Sequence, residues 1–395
     1  MRILLFADAF PPFQSSASIQ LKDLTESLIK TDNEVHIFTT SHVTDEDKSY
    51  EGDHSITRIK NLRTKNVNFF FRGIAEIIIP ITTLISFFLS NKKKERWDLI
   101  IWYSPTIFFG IPILVIKKYL KCQSYLILRD IFPQWALDVG ILKKGFIYSF
   151  FKFIERIQYS AADRIGIQSI SNKKYFEENF PQYLERIEVL ENWLAPLSKE
   201  NCKLDFTDDP FKNKFTFVYA GNIGSAQGLE NILKFAINLD EKIFSFIFIG
   251  SGDQKENLIN FASQNNLNNV YFHSPIPHDQ IFSLYQKCNL GIISLDPNHK
   301  THNIPGKMLS YLQAGLPIFG LVNKNNEISD INKNHRIGYV TEEEDPSLIA
   351  KDFMIKFNNI KSDKNISERC IKLFETRFTS YTAANQIISI KNDKF

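Results

Sequence analysis

Short apolar segments alternate with helical patterns along almost the whole chain, and this alternation limits the possible folds more than any other feature. In the first half, the segments typical of buried strands are ILLF, VHIFTT, DLIIWY, SYLILR and RIGIQS. Apolar residues at helical spacing lie between them, at Gln20–Ile29, Ile107–Lys118 and Phe146–Gln158. Strands that alternate with helices form a parallel sheet covered on both faces, so we predict an α/β fold.

A break in this pattern divides the chain. From Leu194 to Lys214 the periodicity stops while charged residues and proline accumulate, which is typical of a domain boundary. A second set of strand-like segments follows: FTFVYAG, SFIFIGSG, VYFHSP, LGIISL, PIFGL and GYV. We therefore predict two doubly wound, Rossmann-like parallel-sheet domains facing across a cleft, at residues 1–200 and 201–375, with a C-terminal helix at 376–395 that crosses back to the first domain.

Composition excludes several classes of protein. A net charge of +3 on 47 basic and 44 acidic residues is too small to favour nucleic acid as a partner. The four cysteines are scattered, without a CxxC pair or a histidine at metal-ligand spacing, so neither a disulfide framework nor a zinc site is predicted. The opening segment Met1–Ala9 is too short for a secretory signal and resembles a first buried strand. We expect a cytoplasmic protein.

One segment resembles a membrane helix. Phe69–Leu89 is long enough to span a bilayer, but Arg72, Glu76 and Pro80 interrupt it, and the basic run NKKKER follows directly. The segment is interpreted either as a buried or half-buried core helix or as an interfacial helix that contacts anionic lipid; a true span is the least favoured alternative.

The stretch NIPGKMLSYLQAGLPIFG, from Asn303 to Gly320, joins a glycine turn and a lysine to a helix start and a buried strand. N–H groups at a helix N-terminus carry partial positive charge and Lys307 adds a full one, so this stretch suits a nucleotide diphosphate. An ordinary loop, helix and strand is the alternative.

Two further turns follow predicted strands. Gly221-Asn222-Ile223-Gly224-Ser225 comes after FTFVYA, and Gly250-Ser251-Gly252 comes after SFIFI. Glycine lets a backbone turn sharply and approach a ligand closely. Neither turn matches GxGxxG, so nicotinamide or flavin binding is not supported and no cofactor is predicted.

The order and spacing of these motifs resemble the GT-B glycosyltransferases of family 4, and within them the WbuB-like, or L-fucosamine transferase-like, enzymes of bacterial surface polysaccharides. The resemblance covers almost the whole chain. Its markers, in family order, are RDIFPQWALDVGIL, VLENWL, YAGNIGSAQGLENIL, FIGSGD, FHSPIPHDQIFSLYQKCNLGIISL and IPGKMLSYLQAGLPI.

The resemblance implies a nucleotide-sugar donor, with UDP expected, held mainly by the second domain. It also implies transfer with retention of configuration, without a metal, to a lipid-diphosphate-linked saccharide held by the first domain on the inner face of the cytoplasmic membrane. The donor-binding residues it implies are Gly221, Asn222, Gln227, Gly250, Ser251, Gly252, Pro305, Gly306, Lys307 and Ser310.

The sequence departs from the family pattern at two places. Asn222 and Gln227 stand where many members of the family carry Arg and Lys. The alternative is that Asn222 is a turn residue and Gln227 a polar residue at a helix start. His302 and Ser310 stand where a pair of glutamates is expected. His302 is a candidate for charge stabilisation in catalysis, or else an exposed loop residue.

In the first domain, Arg129 and Asp130 follow a predicted strand and are candidate catalytic residues, or else an ion pair that fixes the next loop. Ser15 and Ser16 are candidates for the acceptor phosphate, or else N-caps. Asn192 is a candidate cleft residue.

Two other functions compete with the retaining transferase. One keeps the fold without catalysis, as a sugar-nucleotide or glycan-binding partner in the same assembly pathway. The other is a metal-dependent transferase with Asp45-Glu46-Asp47 as a DxD motif, although this trio is typical of a solvated turn.

Overall fold

The computed structural model of the chain describes residues 1–13, 15–40, 55–62, 69–104, 106–138, 140–197, 200–204, 211–295 and 304–392. The chain folds into two compact units. The first unit comprises Met1–Glu191 together with Ser380–Phe395, and the second comprises Asn192–Thr379. The predicted boundary residues 200 and 375 therefore lie within the second unit.

Each unit contains one sheet in which every paired strand is parallel. The first unit's strands are β1 Arg2–Ala7, β2 Glu34–Thr39, β3 Ser55–Arg58, β4 Leu99–Ser104, β5 Gln123–Leu128, β6 Arg164–Ile167 and β7 Ile187–Val189, in the order β3-β2-β1-β4-β5-β6-β7. The second unit's strands are β8 Phe215–Ala220, β9 Phe244–Ile249, β10 Val270–His273, β11 Leu290–Ser294, β12 Ile318–Leu321 and β13 Gly338–Thr341, in the order β10-β9-β8-β11-β12-β13. The winding reverses between β1 and β4 and between β8 and β11, as in doubly wound folds.

Helices cover both sheets. The α-helices of the described residues are α1 Ser16–Lys30, α2 Phe69–Leu89, α3 Gly110–Leu120, α4 Gln134–Asp138, α5 Phe146–Ala161, α6 Ser171–Asn179, α7 Glu230–Ala236, α8 Lys255–Gln264, α9 Ile281–Gln286, α10 Gly306–Gln313, α11 Glu327–His335, α12 Pro346–Ser362, α13 Ile366–Arg377 and α14 Ser380–Ile388. Short 3-10 helices lie at Asn91–Lys94, Ile107–Phe109, Pro181–Arg186, Ser225–Gln227, His278–Gln280 and Ser389–Asn392. The predicted fold class, two Rossmann-like parallel-sheet domains, is confirmed.

The first unit's sheet is buried on both faces because alternate strand residues point to opposite sides. On one side, Phe6 and Trp102 pack in a core with residues of α2, α3 and α5, including Phe87 and Ile113. On the other side, α1 packs against α14, and Ser27 Oγ donates a hydrogen bond to Ser380 Oγ at 2.8 Å.

The membrane-like segment is the helix α2. Its inner positions, among them Ala75, Ile79 and Phe87, are fully buried in the first unit. Its outer positions are exposed and also apolar: Ile74, Ile77, Ile81, Ile85 and Leu89. None of the described helices combines the length and the apolarity that crossing a bilayer requires.

Phenylalanine dominates one face of the second unit's sheet. Phe217 stacks on Phe246 at 4.6 Å between ring centroids, and Phe235 stacks on Phe319 at the same distance. Phe353, on α12, contacts this group edge-on. Large aromatic rings bury more apolar area per residue than Leu or Val, which accounts for part of the chain's 35 Phe.

Candidate functional site

A cavity of about 350 Å³ opens at the carboxyl ends of β8, β9 and β10, in the second unit. The residues that line it are Ala220, Gly221, Ile249, Gly250, Ser251, Pro275, Ile276, His278, Ile281, Tyr285, Lys307 and Ser310. The first five end or follow β8 and β9, the next three follow β10, and the last four belong to α9 and α10. This is the edge at which ligands of parallel sheets bind.

Lys307 is the cation of this cavity. It is half-buried, and its Nζ lies 4.7 Å from the centroid of the Tyr219 ring. Within the described part of the chain it has no ion-pair partner, and burial lowers its pKa. A lysine that is partly desolvated without a counter-charge is stabilised by an anionic ligand, because the anion replaces the lost solvation.

The start of α10 adds polar groups beside this lysine. Pro305 precedes the helix in an extended conformation, Gly306 is its first residue, and Ser310 lies one turn later with its Oγ 3.4 Å from the Gly306 carbonyl. The first N–H groups of a helix have no intrahelical partner and favour anions. Lys307 and Ser310 line the cavity, whereas Pro305 and Gly306 precede them without lining it.

The turns after β8 and β9 need glycine because the two turns lie in close contact with each other. A Cβ on Gly250, whose φ is +157°, would lie 1.9 Å from the Gly221 carbonyl oxygen. A Cβ on Gly252 would meet the Ile223 carbonyl oxygen at 2.1 Å. At Gly221 the added atom would instead lie 2.8 Å from Lys307 Cε. The two turns thus hold each other closely, and Gly221 leaves room for the lysine.

Asn222 and Gln227 bond to each other rather than to the cavity. Asn222 Nδ2 donates to Gln227 Oε1 at 3.3 Å, and the Gly224 N–H donates to the same oxygen at 3.0 Å. Neither side chain lines the cavity. These bonds fit the alternative role, which is hydrogen bonding within the turn and at the helix start. A role of the two side chains in donor binding stays a prediction.

Besides Ala220 and Ile249, the last residues of β8 and β9, five lining residues were not among the predicted donor residues, namely Pro275, Ile276, His278, Ile281 and Tyr285. The sequence carried a usable signal for the first three. They follow β10, a predicted strand next to β9, and the rule that ligands bind at carboxyl ends applies there too. Ile281 and Tyr285 come from α9, whose approach to the cavity only tertiary packing decides.

In the first unit, Arg129 is buried and holds the end of the sheet together. Its Nη1 donates to the Leu190 carbonyl at 2.9 Å and its Nη2 to the Glu191 carbonyl at 3.3 Å. Burial lowers the pKa of this guanidinium, an effect that nearby Tyr103, Tyr125 and Asp130 oppose. Asp130 is exposed at the carboxyl end of β5. The bonds of Arg129 favour a structural role, and catalysis by either residue stays a prediction.

The proposed acceptor residues occupy helix and loop positions. Ser15 caps α1, with its Oγ accepting from the Ser18 N–H at 3.2 Å, and Ser16 is the exposed first residue of that helix. Asn192 begins the second unit and donates to the Ile304 carbonyl at 3.5 Å. His302 and the trio Asp45-Glu46-Asp47 lie outside the described residues.

The described ranges contain no group of three or more His, Cys, Asp or Glu side chains arranged to hold a metal ion. Cys122, Cys202, Cys288 and Cys370 are free thiols, and the last three are buried.

Comparison with known proteins bears directly on the unit that contains the cavity. Residues 203–373 match the family model of "Glycosyl transferases group 1". The second unit is similar to a group 1 glycosyl transferase domain over this range. The matched range includes every residue that lines the cavity.

Curated relatives are similar to more of the chain than the range that the family model matches. The chain is 26% identical over 290 residues to the "Probable glycosyltransferase WbjE" of Pseudomonas aeruginosa, an alignment that covers 71% of this chain and 70% of the relative. It is 25% identical over 251 residues to the "Putative colanic acid biosynthesis glycosyl transferase WcaI" of Escherichia coli K12, covering 58% of this chain and 59% of the relative.

Solved structures share the GT-B fold of both units. Anabaena HepE, in complex with UDP, superposes with a TM-score of 0.70 at 13% identity, covering 99% of this chain and 100% of HepE. WaaG, "a glycosyltransferase involved in lipopolysaccharide biosynthesis", superposes with a TM-score of 0.62 at 12% identity, covering 98% and 99%. At these identities the likeness shows the fold.

Proposed function

We propose that this protein is a retaining glycosyltransferase that takes a sugar from a UDP-sugar and transfers it to a lipid-diphosphate-linked saccharide. The pathway would be the synthesis of a surface polysaccharide such as O-antigen, capsule or exopolysaccharide, and an N-acetylated 6-deoxyhexosamine is the sugar that the sequence resemblance favours. Lys307 carries the proposal, because this half-buried cation without an ion-pair partner in the described residues lies in a cavity of a group 1 domain.

The chemistry of transfer fits a lysine at this place. When the bond between the sugar and the diphosphate breaks, negative charge develops on the departing UDP, and a fixed cation stabilises that charge. Ser310 Oγ and the first N–H groups of α10 are further donors on the same side of the cavity. Gly221 leaves room for the Lys307 side chain, and Gly250 lets the two turns pack closely at the cavity.

Uridine as the base and polysaccharide as the product are supported by the relatives. HepE was solved with UDP and with UDP-glucose, and WcaI is named for colanic acid biosynthesis. We extend these properties to this chain by proposal. Ile276 and Pro275 give the cavity an apolar wall that suits a flat base, beside the polar end formed by Lys307 and Ser310.

The acceptor, the absence of a required metal and the peripheral position on the inner face of the cytoplasmic membrane belong to the same proposal. We assign the acceptor to the first unit, near Asp130 and the start of α1 at Ser15 and Ser16. Activity should persist in excess EDTA. A loss that Mg²⁺ restores would replace this part of the proposal with the metal-dependent alternative.

Calorimetric titration with UDP, followed by assays of donor hydrolysis and transfer, tests the function. We expect UDP binding and turnover of at least one UDP-sugar with a short-chain, water-soluble lipid-diphosphate saccharide as acceptor. Failure of every nucleoside diphosphate to bind would contradict the donor site.

The non-catalytic alternative has one observation in its favour. Among the described residues the cavity lining contains no carboxylate, and Asn222 and Gln227, which stand where the family pattern has Arg and Lys, bond to each other outside it. Tight UDP binding without turnover of any donor in the presence of acceptor would establish this alternative and contradict the enzyme.

A further inference from the structure

Three neighbouring helices of the first unit present apolar side chains outward. α3 contacts α2 on one side and α5 on the other, so the three form one layer over the same side of the sheet. We call its outer surface the apolar helix face. Its exposed large apolar residues are Ile74, Ile77, Ile81, Ile85 and Leu89 on α2, Val115 and Tyr119 on α3, and Phe146, Ile147, Phe150 and Phe153 on α5.

The degree of exposure is high at both ends of this face. Leu89, the last residue of α2, is 80% exposed, and Phe146, the first residue of α5, is 89% exposed. Soluble surfaces rarely present so many large apolar side chains on adjacent helices, and a patch of this kind marks an interaction surface.

The exposed charges of the three helices and their nearest flanks are basic, and the exposed acidic residues nearest to the start of α5 along the chain are Asp130 and Asp138. Over residues 73–96, 110–121 and 141–161, which comprise the described side chains of the three helices and their nearest flanks, every exposed charged residue is basic: Lys94, Arg96, Lys118, Lys121, Lys143, Lys144 and Arg156. The acidic residues of these ranges, Glu76, Glu95 and Glu155, are not exposed. Apolar side chains bordered by lysine and arginine are complementary to a bilayer whose headgroups are anionic.

The same charges argue against a second copy of the chain as the occupant. Two copies related by a two-fold axis bury the same patch of each against the other. Lys143 and Lys144 would then face a surface whose exposed charges are mostly basic, and like charges would repel across the contact.

The start of α5 connects this face to the loop that follows β5. Tyr148 Oη donates to Gln134 Oε1 at 3.1 Å, and the Phe151 ring meets the Phe132 ring edge-on at 4.9 Å. Asp130, the exposed candidate for acceptor chemistry, lies two residues before Phe132. A bilayer bound at the start of α5 would therefore lie near the end of the sheet where the acceptor is expected.

We propose that the apolar helix face docks on an anionic lipid bilayer, with Phe146 and Ile147 entering the acyl boundary and Lys143 and Lys144 at the headgroups. The inference rests on the proposed function, because docking would bring a lipid-linked acceptor to the first unit. It also names the docking surface, which the resemblance and the relatives leave open.

Flotation of the purified full chain with vesicles tests the docking in the absence of donor and acceptor. We expect binding to vesicles of 30% phosphatidylglycerol in phosphatidylcholine, and binding at least about ten-fold weaker to phosphatidylcholine alone, because each basic residue contributes about 1 kcal/mol at an anionic surface. Equal binding to both vesicles, or no binding to either, would overturn the proposal.

Paired variants locate the surface. Phe146→Ser/Ile147→Ser should weaken binding about ten-fold or more, and Lys143→Glu/Lys144→Glu should do the same on anionic vesicles only. The matched controls lie on α12 of the second unit. Leu348→Ser/Ile355→Ser, at positions 52% and 70% exposed, and Lys351→Glu/Lys361→Glu should bind like the unaltered chain. Equal losses in the controls would overturn the assignment to this face.

Tryptophan fluorescence supplies a readout that needs no loss of folding. Trp135 is 44% exposed and its ring contacts Phe132, whereas Trp97, Trp102 and Trp193 are buried. Brominated lipids should quench the unaltered chain and should not quench Trp135→Phe. Absence of quenching on vesicles that bind the chain would place the contact elsewhere and contradict the proposal. Sedimentation is a separate check: a dimer of the unaltered chain that Phe146→Ser/Ile147→Ser abolishes would assign the face to a second copy and also contradict the proposal.

This test and the test of function can fail separately. Vesicle binding without UDP binding would contradict the donor site alone. UDP-dependent turnover of a water-soluble acceptor without vesicle binding would contradict the docking surface alone.

Discussion

The outer helices of the two units differ, although both units have the same doubly wound sheet. In the second unit, α8 exposes only polar side chains: Glu256, Asn257, Asn260, Ser263 and Gln264. In the first unit, the exposed side chains described on α2, over residues 73–89, are all apolar: Ile74, Ile77, Ile81, Ile85 and Leu89. The sheet requires each helix to be apolar on its inner face alone. The outer face is under no such constraint, and α12 of the second unit also exposes Leu348 and Ile355, so it is the extent of the apolar surface across neighbouring helices that distinguishes the first unit.

The loops at the carboxyl edges differ in the same way. The second unit closes β8 and β9 with glycine turns that pack tightly beside a half-buried lysine. The first unit closes β5 with Arg129, which is buried and bonds to two carbonyls of its own unit. We infer that the second unit is built around a small anionic ligand and the first around an extended apolar partner. Three predictions challenge this contrast.

The largest effect is expected from Gly250→Ala. The added Cβ would lie 1.9 Å from the Gly221 carbonyl oxygen at a φ of +157°, so the backbone must shift. We expect a loss of about 3 kcal/mol or more of unfolding free energy, together with loss of UDP binding. Hydrogen exchange should show lost protection in β8 and β9 and unchanged protection in β1 and β4.

Gly306→Ala is the matched control for this prediction, because a Cβ there meets nothing within 4 Å. It should leave hydrogen-exchange protection close to that of the unaltered chain. If hydrogen-exchange protection in Gly250→Ala equals that of the unaltered chain, the two turns can separate without a cost in stability. That result would contradict the requirement for glycine at position 250.

Lys307→Ala should weaken UDP binding about ten-fold or more, since a charge-assisted bond to a diphosphate contributes about 1.5–3 kcal/mol. Titration calorimetry measures the change. Lys356→Ala is the matched control, because Lys356 also lies over a tyrosine ring, at 5.4 Å from the Tyr339 centroid, but pairs with Asp352 on α12. Unchanged affinity in Lys307→Ala would remove this lysine from the site.

The smallest effect concerns pH. Burial lowers the pKa of Lys307, and a bound diphosphate should raise this pKa again. At a pH above the pKa that Lys307 has without ligand, UDP binding should therefore be accompanied by uptake of a proton. UDP affinity should therefore fall as pH rises towards the ordinary lysine range. Lys307→Arg should lack this fall because arginine stays charged, and Lys307→Ala corrects for titration of the ligand itself.

The sign is opposite for stability without ligand. The unfolded chain has the higher lysine pKa and binds more protons in this range, so the contribution of Lys307 to the unfolding free energy should rise with pH. A UDP affinity independent of pH in the unaltered chain would show that Lys307 does not meet the diphosphate.

Several elements of the fold were predictable because strand segments between turn residues leave a strong local signal. The segments ILLF and FTFVYAG, for example, coincide with β1 and β8. The short strands β3, with the sequence SITR, and β7, with the sequence IEV, were missed. They are the two edge strands of the first sheet, where fewer apolar residues are needed, so their patterns are weak.

The site was predictable in part. Gly221, Gly250, Ser251, Lys307 and Ser310 come from separate motifs and line one cavity, because the carboxyl ends of parallel strands meet at one edge. For Asn222 and Gln227 the donor-binding role implied by resemblance stays a prediction, while the structure adds that their amides bond to each other. A side chain's choice between a ligand and a neighbour depends on three-dimensional distances, which a linear pattern does not contain.

By itself, the sequence determined the doubly wound fold, the division into two sheets and the turn that carries Lys307, because each depends on local patterning of apolar, glycine and charged residues. Only the tertiary structure decided which residues share the cavity and which apolar residues remain outside. Phe146 and Ile79 are both large apolar residues in helical patterns, yet one is exposed and the other buried. The difference arises from which helix face packs on the sheet, and that is fixed by contacts between segments far apart in the chain.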